Sequence, residues 1–306
     1  MKKDYLFFRQ ADLLLRLLPH IVTEPDFALH GGTAINFFIR NMPRLSVDID
    51  LTYLPLESRE ETLVNITKKL HALAKKFRNA FPGIKIEEKE DKARSVSKLL
   101  VNYQNALVKI EPNLIIRGSV FPVEERDLAK NAEKTFEKFV SVKTLPLAAL
   151  YGGKICAALD RQHPRDLFDI KLLFENEGFT NDIRRAFLVY LISGNRPMNE
   201  LLNPKLKNGR KIFDSEFSGM ALMPVTYEEL ERVREELIKA VKKGFTKEER
   251  RFLVSFKEGN PAWDLLGVEG VDKLPAVQWK LANLAKTNRQ KHSQAVNELK
   301  KVLAVS

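Results

Sequence analysis

The sequence holds a single cysteine, Cys156, so neither an internal disulfide nor a thiolate metal cluster can form. Its histidines (His20, His30, His71, His163, His292) are scattered, with no His-x-x-Glu-His spacing, which argues against a zinc site. No apolar stretch approaches the roughly 18 residues needed to span a bilayer. The apolar run near the N-terminus is far too short for a signal-peptide core, so a cytoplasmic protein without membrane contact is expected. Internal repeats and low-complexity linkers are also missing.

What is present is an ordinary globular composition, 44% hydrophobic over 306 residues, enough to bury a full core. The charge is strongly basic, formally +11. Lysine and arginine release condensed counterions when they contact phosphates, so a polyanionic partner is expected. From Lys273 onward the basic residues are Lys273, Lys280, Lys286, Arg289, Lys291, Lys300 and Lys301, against one acidic residue, Glu298. A second cluster is Lys205, Lys207, Arg210 and Lys211. Solvated helix faces account for these runs equally well.

Periodicity predicts an amphipathic helix over 5–18, stopping before Pro19, and a short strand at 27–29 that ends at Gly31-Gly32. A helical pattern follows at 33–41, a strand at 47–53 and a helix at 59–77. Strand-like runs occupy 84–88, 96–103 and 106–111; the β signals then fade after Ser141, and helices are expected at 146–160, 164–175, 181–192 and 227–243. The class is α+β: a mixed sheet with helices over 1–145, then a helical C-terminal domain over 146–306.

The chemistry concentrates in Leu29-His30-Gly31-Gly32-Thr33-Ala34-Ile35-Asn36 and Arg44-Leu45-Ser46-Val47-Asp48-Ile49-Asp50-Leu51. A glycine pair between strand and helix lets the backbone approach a ligand, and amide groups at the helix start suit phosphate oxygens. On the next strand Ser46, Asp48 and Asp50 share one face and Val47, Ile49 and Leu51 the other. Aspartate is depleted in strands, and two on one face within about 7 Å repel each other unless a cation lies between them. One or two magnesium ions, completing their coordination with substrate phosphates, fit that need. A charged edge strand is the bland alternative. Glu111, on the same face as Lys109 near a strand end, is a candidate third metal carboxylate or general base, and equally an ordinary strand terminus before Pro112.

These two motifs resemble the nucleotidyltransferase toxins of the AbiEii/AbiGii type, found in type IV toxin-antitoxin and abortive-infection systems, whose fold is the minimal polymerase-beta-like core. The likeness continues in Leu150-Tyr151-Gly152-Gly153-Lys154-Ile155-Cys156-Ala157-Ala158-Leu159-Asp160-Arg161 and Pro164-Arg165-Asp166-Leu167-Phe168-Asp169-Ile170. The resemblance implies that Asp48 and Asp50 bind metal and that Gly31, Gly32, Thr33 and Ser46 form the substrate cradle. It implies that Lys154 contacts nucleotide phosphates, and that Asp169, with Asp166 standing second, is the acidic residue of the last motif. Arg161, seven residues after Lys154 on the same helix face, is a further phosphate-binding candidate. The implied reaction moves a nucleotide from an NTP to an acceptor, the tRNA 3′ end first of all, with a cognate antitoxin as partner. A small-molecule nucleotidyltransferase and a non-catalytic RNA-binding module are the rival readings.

Overall fold

The computed structural model describes residues 3–91 and 95–305; Met1 and Lys2, part of the N-terminal run read above, lie outside them. The chain divides into two compact units, the first comprising Met1–Leu150 and Ser215–Pro224, the second Tyr151–Asp214 and Val225–Ser306.

The first unit is built on a seven-stranded mixed sheet. Its elements are α1 (Lys3–Val22), β1 (Phe27–His30), α2 (Gly31–Ala34, continuing as a π-helix over Ile35–Ile39), β2 (Asp48–Tyr53), α3 (Arg59–Ala80), β3 (Lys85–Glu90), β4 (Val96–Tyr103), β5 (Ala106–Pro112), β6 (Glu124–Asp127), α4 (Lys130–Phe136) and β7 (Ser141–Thr144). The strand order is β3-β4-β5-β2-β1-β7-β6. β2 runs antiparallel to β1 and parallel to β5, which puts the aspartate strand at the centre of the sheet. Leu99, Val101, Val108 and Ile110 are fully buried on the face that α1 and α3 cover. α3 begins with a capping box in which Ser58 and Glu61 satisfy each other's backbone amides.

Two expectations need correction. Helix α1 does not stop before Pro19 but carries it internally and ends at Val22. Leu13, Leu14, Leu17, Leu18 and Ile21 are all buried, and this continuous stripe outweighs the one hydrogen bond that proline removes. The β signal does not fade at Ser141 either: β7 begins there and pairs with β6 and β1. β6 reads Glu-Glu-Arg-Asp, with no apolar residue to betray a strand.

The second unit is helical. It takes most of α5 (Leu147–Arg161), then α6 (Pro164–Asn176), α7 (Asn181–Ser193), α8 (Met198–Leu202), α9 (Arg210–Ile212), α10 (Tyr227–Gly244), α11 (Lys247–Glu258), α12 (Pro275–Ala285) and α13 (Arg289–Leu303). Pro164 opens α6 at its first turn. Threonine caps at Thr226 and Thr246, each paired with a glutamate three residues on, start α10 and α11. Among the described residues no helix is long and apolar enough to cross a membrane.

α5 and α7 cross at Gly152. A Cβ there would lie 2.7 Å from the Ala186 carbonyl carbon and 2.8 Å from the Phe187 nitrogen, both backbone atoms. Gly152→Ala is therefore expected to cost about 1–3 kcal/mol, from overpacking that no rotamer change can relieve. Urea denaturation measures it, and a loss below about 0.5 kcal/mol would show that the helices separate freely.

Candidate active site

Residues His30 and Asp50 are direct partners across the β1–β2 ladder. The chain then turns at Gly31 with φ +71°, a conformation that L side chains rarely adopt. A Cβ on Gly31 would sit 2.5 Å from Asp50 Oδ2, so the carboxylate faces the diglycine turn and occupies the space a side chain would take. Gly32 is confined in the same way, with Arg44 Nη2 2.7 Å and Ser46 Oγ 3.4 Å from its ideal Cβ.

Thr33 and Ser46 brace the cradle. The buried Thr33 hydroxyl lies 2.9 Å from Ser46 Oγ and 2.5 Å from the Asp48 carbonyl oxygen, tying the glycine helix to the start of β2. Asn36 Nδ2 donates to the Gly32 carbonyl at 2.9 Å. Asp48 and Asp50 are half-buried on one face, with Ile49 fully buried on the other.

Sequence reasoning missed two parts of this surrounding. Arg44 is buried; its Nη1 donates to the Leu45 carbonyl at 2.9 Å while the guanidinium packs on Gly32. Its loop is pinned by segment 215–224: Leu45 N donates to Met220 O, Leu222 N to Pro43 O, and Arg44 bridges Ala221. Lys109 is the cross-strand partner of Asp48 on β5, as Glu111 is of Asp50. Burial disfavours the Lys109 charge, but Glu111, Asp48 and Asp50 together outweigh that and raise its pKa. The Lys109-x-Glu111 alternation carried that signal; the isolated arginine ahead of Leu45 carried the other.

Glu111 is held by Lys109 at 2.7 Å and Lys98 at 3.3 Å. Burial works against its charge, yet the two lysines bring its pKa below the ordinary glutamate value. Among the described residues no group of three or more His, Cys, Asp or Glu side chains is arranged to hold a metal. The donor set at this point is thus two oxygen-bearing carboxylates beside a glycine turn. It suits a hard cation that takes its remaining ligands from water and phosphate, and does not suit a closed structural metal site.

In the second unit Lys154 lies between two carboxylates, its Nζ 2.9 Å from Asp166 Oδ1 and 3.0 Å from Asp169 Oδ2. Both aspartates have 0% exposure and the lysine side chain 5%. Arg161 forks onto Asp166 through Nε and Nη2, the latter at 2.8 Å, while its side chain stays 58% exposed. Two positive charges thus meet two negative ones. Burial alone would raise the Asp166 pKa, but Lys154 and Arg161 hold it well below the usual carboxylate range. Asp166 and Asp169 are core residues, not members of a surface network.

The first unit thus holds a diglycine turn packed on a strand aspartate of a mixed sheet, and the second a Lys-Asp-Asp cluster on two helices. The profile of the family described as "Nucleotidyl transferase AbiEii toxin, Type IV TA system" matches residues 12–283, and the chain belongs to that family. Among solved structures, the nucleotidyltransferase toxin MenT4 from Mycobacterium tuberculosis superposes with a TM-score of 0.58 at 14% identity, covering 93% of this chain and 99% of that one. At that identity the likeness is one of fold. No curated protein matches the sequence.

Lys154→Ala would leave two buried carboxylates facing each other with one cation, and is expected to cost about 3–5 kcal/mol of stability. The pH dependence has a definite sign. A depressed Asp166 pKa stabilises fully above the unfolded value of about 4 and is lost as pH falls through the lower folded value, so Asp166→Asn should flatten the acid limb of the stability curve. Thermal melts between pH 2 and 7 measure both effects; an unchanged acid limb would show that the cluster is not ionised in the fold.

Proposed function

We propose that this chain acts in the cytoplasm as a magnesium-dependent toxin that transfers a nucleotide from an NTP to an RNA acceptor, with the tRNA 3′ end as the acceptor. A separately encoded antitoxin protein is the partner that restrains it. One observation carries the reading: Asp48 and Asp50 stand on one strand face, and Asp50 faces the Gly31-Gly32 turn.

In the proposed reaction an acceptor hydroxyl oxygen attacks the α-phosphorus of the NTP. The new O–P bond forms as the α–β phosphoanhydride breaks, pyrophosphate leaves, and the hydroxyl proton passes to a carboxylate or to water. Asp48 and Asp50 would hold magnesium, one or two ions, which supplies charge neutralisation at the triphosphate. The Gly31-Gly32 turn would receive the phosphates, and Thr33 and Ser46 keep it rigid. Lys109 offsets part of the carboxylate repulsion before substrate arrives.

Glu111 is the third carboxylate of this reading, available once it exchanges a lysine for a cation, and is the one that would take the acceptor proton; Asp169, fully buried against Lys154, does not suit that role. The family resemblance assigns Lys154 and Asp169 to the reaction and Arg161 and Asp166 to substrate binding; the salt-bridged cluster supports that assignment by fixing the ammonium in one position. The net charge of +11 supports an RNA acceptor.

Asp48→Ala tests the reading more cleanly than a Lys154 variant, because it removes a charge from a repelling pair and leaves the buried cluster intact. It is expected to reduce transfer of label from NTP to total RNA by at least about a hundredfold while the melting temperature stays level or rises. Labelling at the wild-type rate would remove Asp48 from the site, and labelling of small molecules alone would exclude the RNA acceptor.

A further inference from the structure

The register of the sheet carries the active-site face outward across three more strands. Asp50 pairs with Glu111 on β5, Glu111 lies opposite Lys98 on β4, and Lys98 pairs with Lys89 on β3. The adjacent rows place Lys109, Leu100 and Glu87 together, then Leu107, Asn102 and Lys85. Paired residues share a face, so this is one surface, and it is the face opposite that covered by α1 and α3.

That surface is open. The Lys89 side chain is 44% exposed, and Leu107, an apolar residue at the β5 end of its row, is 45% exposed. Lys89 and Lys98 stand directly opposite each other in an antiparallel pair, an arrangement that works against folding. Over β4 and β3 the rows hold Lys85, Lys89 and Lys98 against Glu87, while Glu111, Asp48 and Asp50 lie nearer the site and answer Lys109 and part of Lys98, so the excess of positive charge is on the outer strands. A lysine-rich outer part of an open face, continuous with the candidate metal-binding aspartates, suits a polyanion laid across it.

We infer that the β2-β5-β4-β3 face is the platform for the acceptor strand, with Lys98, Lys89 and Lys85 receiving the phosphates that lead up to the reactive end and Leu107 packing against a sugar or base. The inference rests on the transferase reading above and adds to it the direction from which the acceptor arrives. From Asp50 to Lys89 the path spans three strand spacings, about 14 Å, so the platform accommodates a short single-stranded end.

The test uses the full chain carrying Lys85→Gln and Lys89→Gln together, a labelled short single-stranded RNA, and a separate titration with magnesium and NTP. RNA affinity at low salt is expected to fall about tenfold and the log-log salt slope to shrink by about 1.4, two phosphate contacts at ~0.7 each, while NTP affinity changes by less than about twofold. The double variant should melt close to the parent, since Lys89→Gln removes one of the two opposed lysines together with its exposed pair to Glu87. Undiminished RNA affinity with an unchanged slope would overturn the platform and leave the transferase reading standing. Loss of binding to a partner protein in place of RNA would overturn it in favour of a protein interface. Failure of the unaltered chain to bind NTP with magnesium would instead bring down the transferase reading itself.

Discussion

The Asp50 carboxylate occupies the space that a side chain on residue 31 would need, and much of the first unit is arranged around that contact. It explains why position 31 is a glycine with positive φ and why β1 must end beside Asp50 in the antiparallel register. The Thr33 hydroxyl then fixes the short helix to the backbone at Asp48, and Arg44 closes over Gly32 from the other side. A pair of like-charged carboxylates on one strand face is a poor design for stability alone. In the proposed reaction a cation and a triphosphate would turn it into a binding surface whose parts are already in place, which would limit the reorganisation needed at the moment of reaction.

The helical unit handles charge in the opposite way. Where β2 leaves two carboxylates half-buried with a lysine across the strand, the α5–α6 cluster buries two carboxylates completely and matches them with Lys154 and Arg161. Such a cluster contributes little net stability compared with an apolar core, but losing one member is expensive. It therefore fixes the position of Lys154 more strongly than packing of a flexible four-carbon chain would. The proposed use of Lys154 and Asp169 fits a requirement for position over net charge.

Much of this was legible in sequence because the site lies on elements with strong local rules. The alternation Ser46-x-Asp48-x-Asp50 puts the carboxylates on one face without any tertiary information, and the glycine pair marks the turn. The length of β4 and the Pro164 start of α6 could be read in the same way. What could not be read depends on distant partners. β6 is a strand because β7 offers it hydrogen bonds, not because Glu124-Glu125-Arg126-Asp127 favours one. Pro19 stays inside a helix because the leucine stripe continues past it. Segment 215–224 pairs with residues 43–45 of the first unit, a contact that no periodicity announces. The two lysines holding Glu111 come from separate strands, so their convergence required the register.

The claim at the centre is that Asp48 and Asp50 bind a divalent cation together with a triphosphate. Thermal unfolding in the presence of a non-hydrolysable NTP analogue, with and without magnesium, measures this directly, because a ligand bound only by the native state raises its melting temperature. The account predicts a rise when both are present, little with either alone, and none for Asp50→Asn under any condition. An equal rise in Asp50→Asn, or one that does not require magnesium, would contradict it.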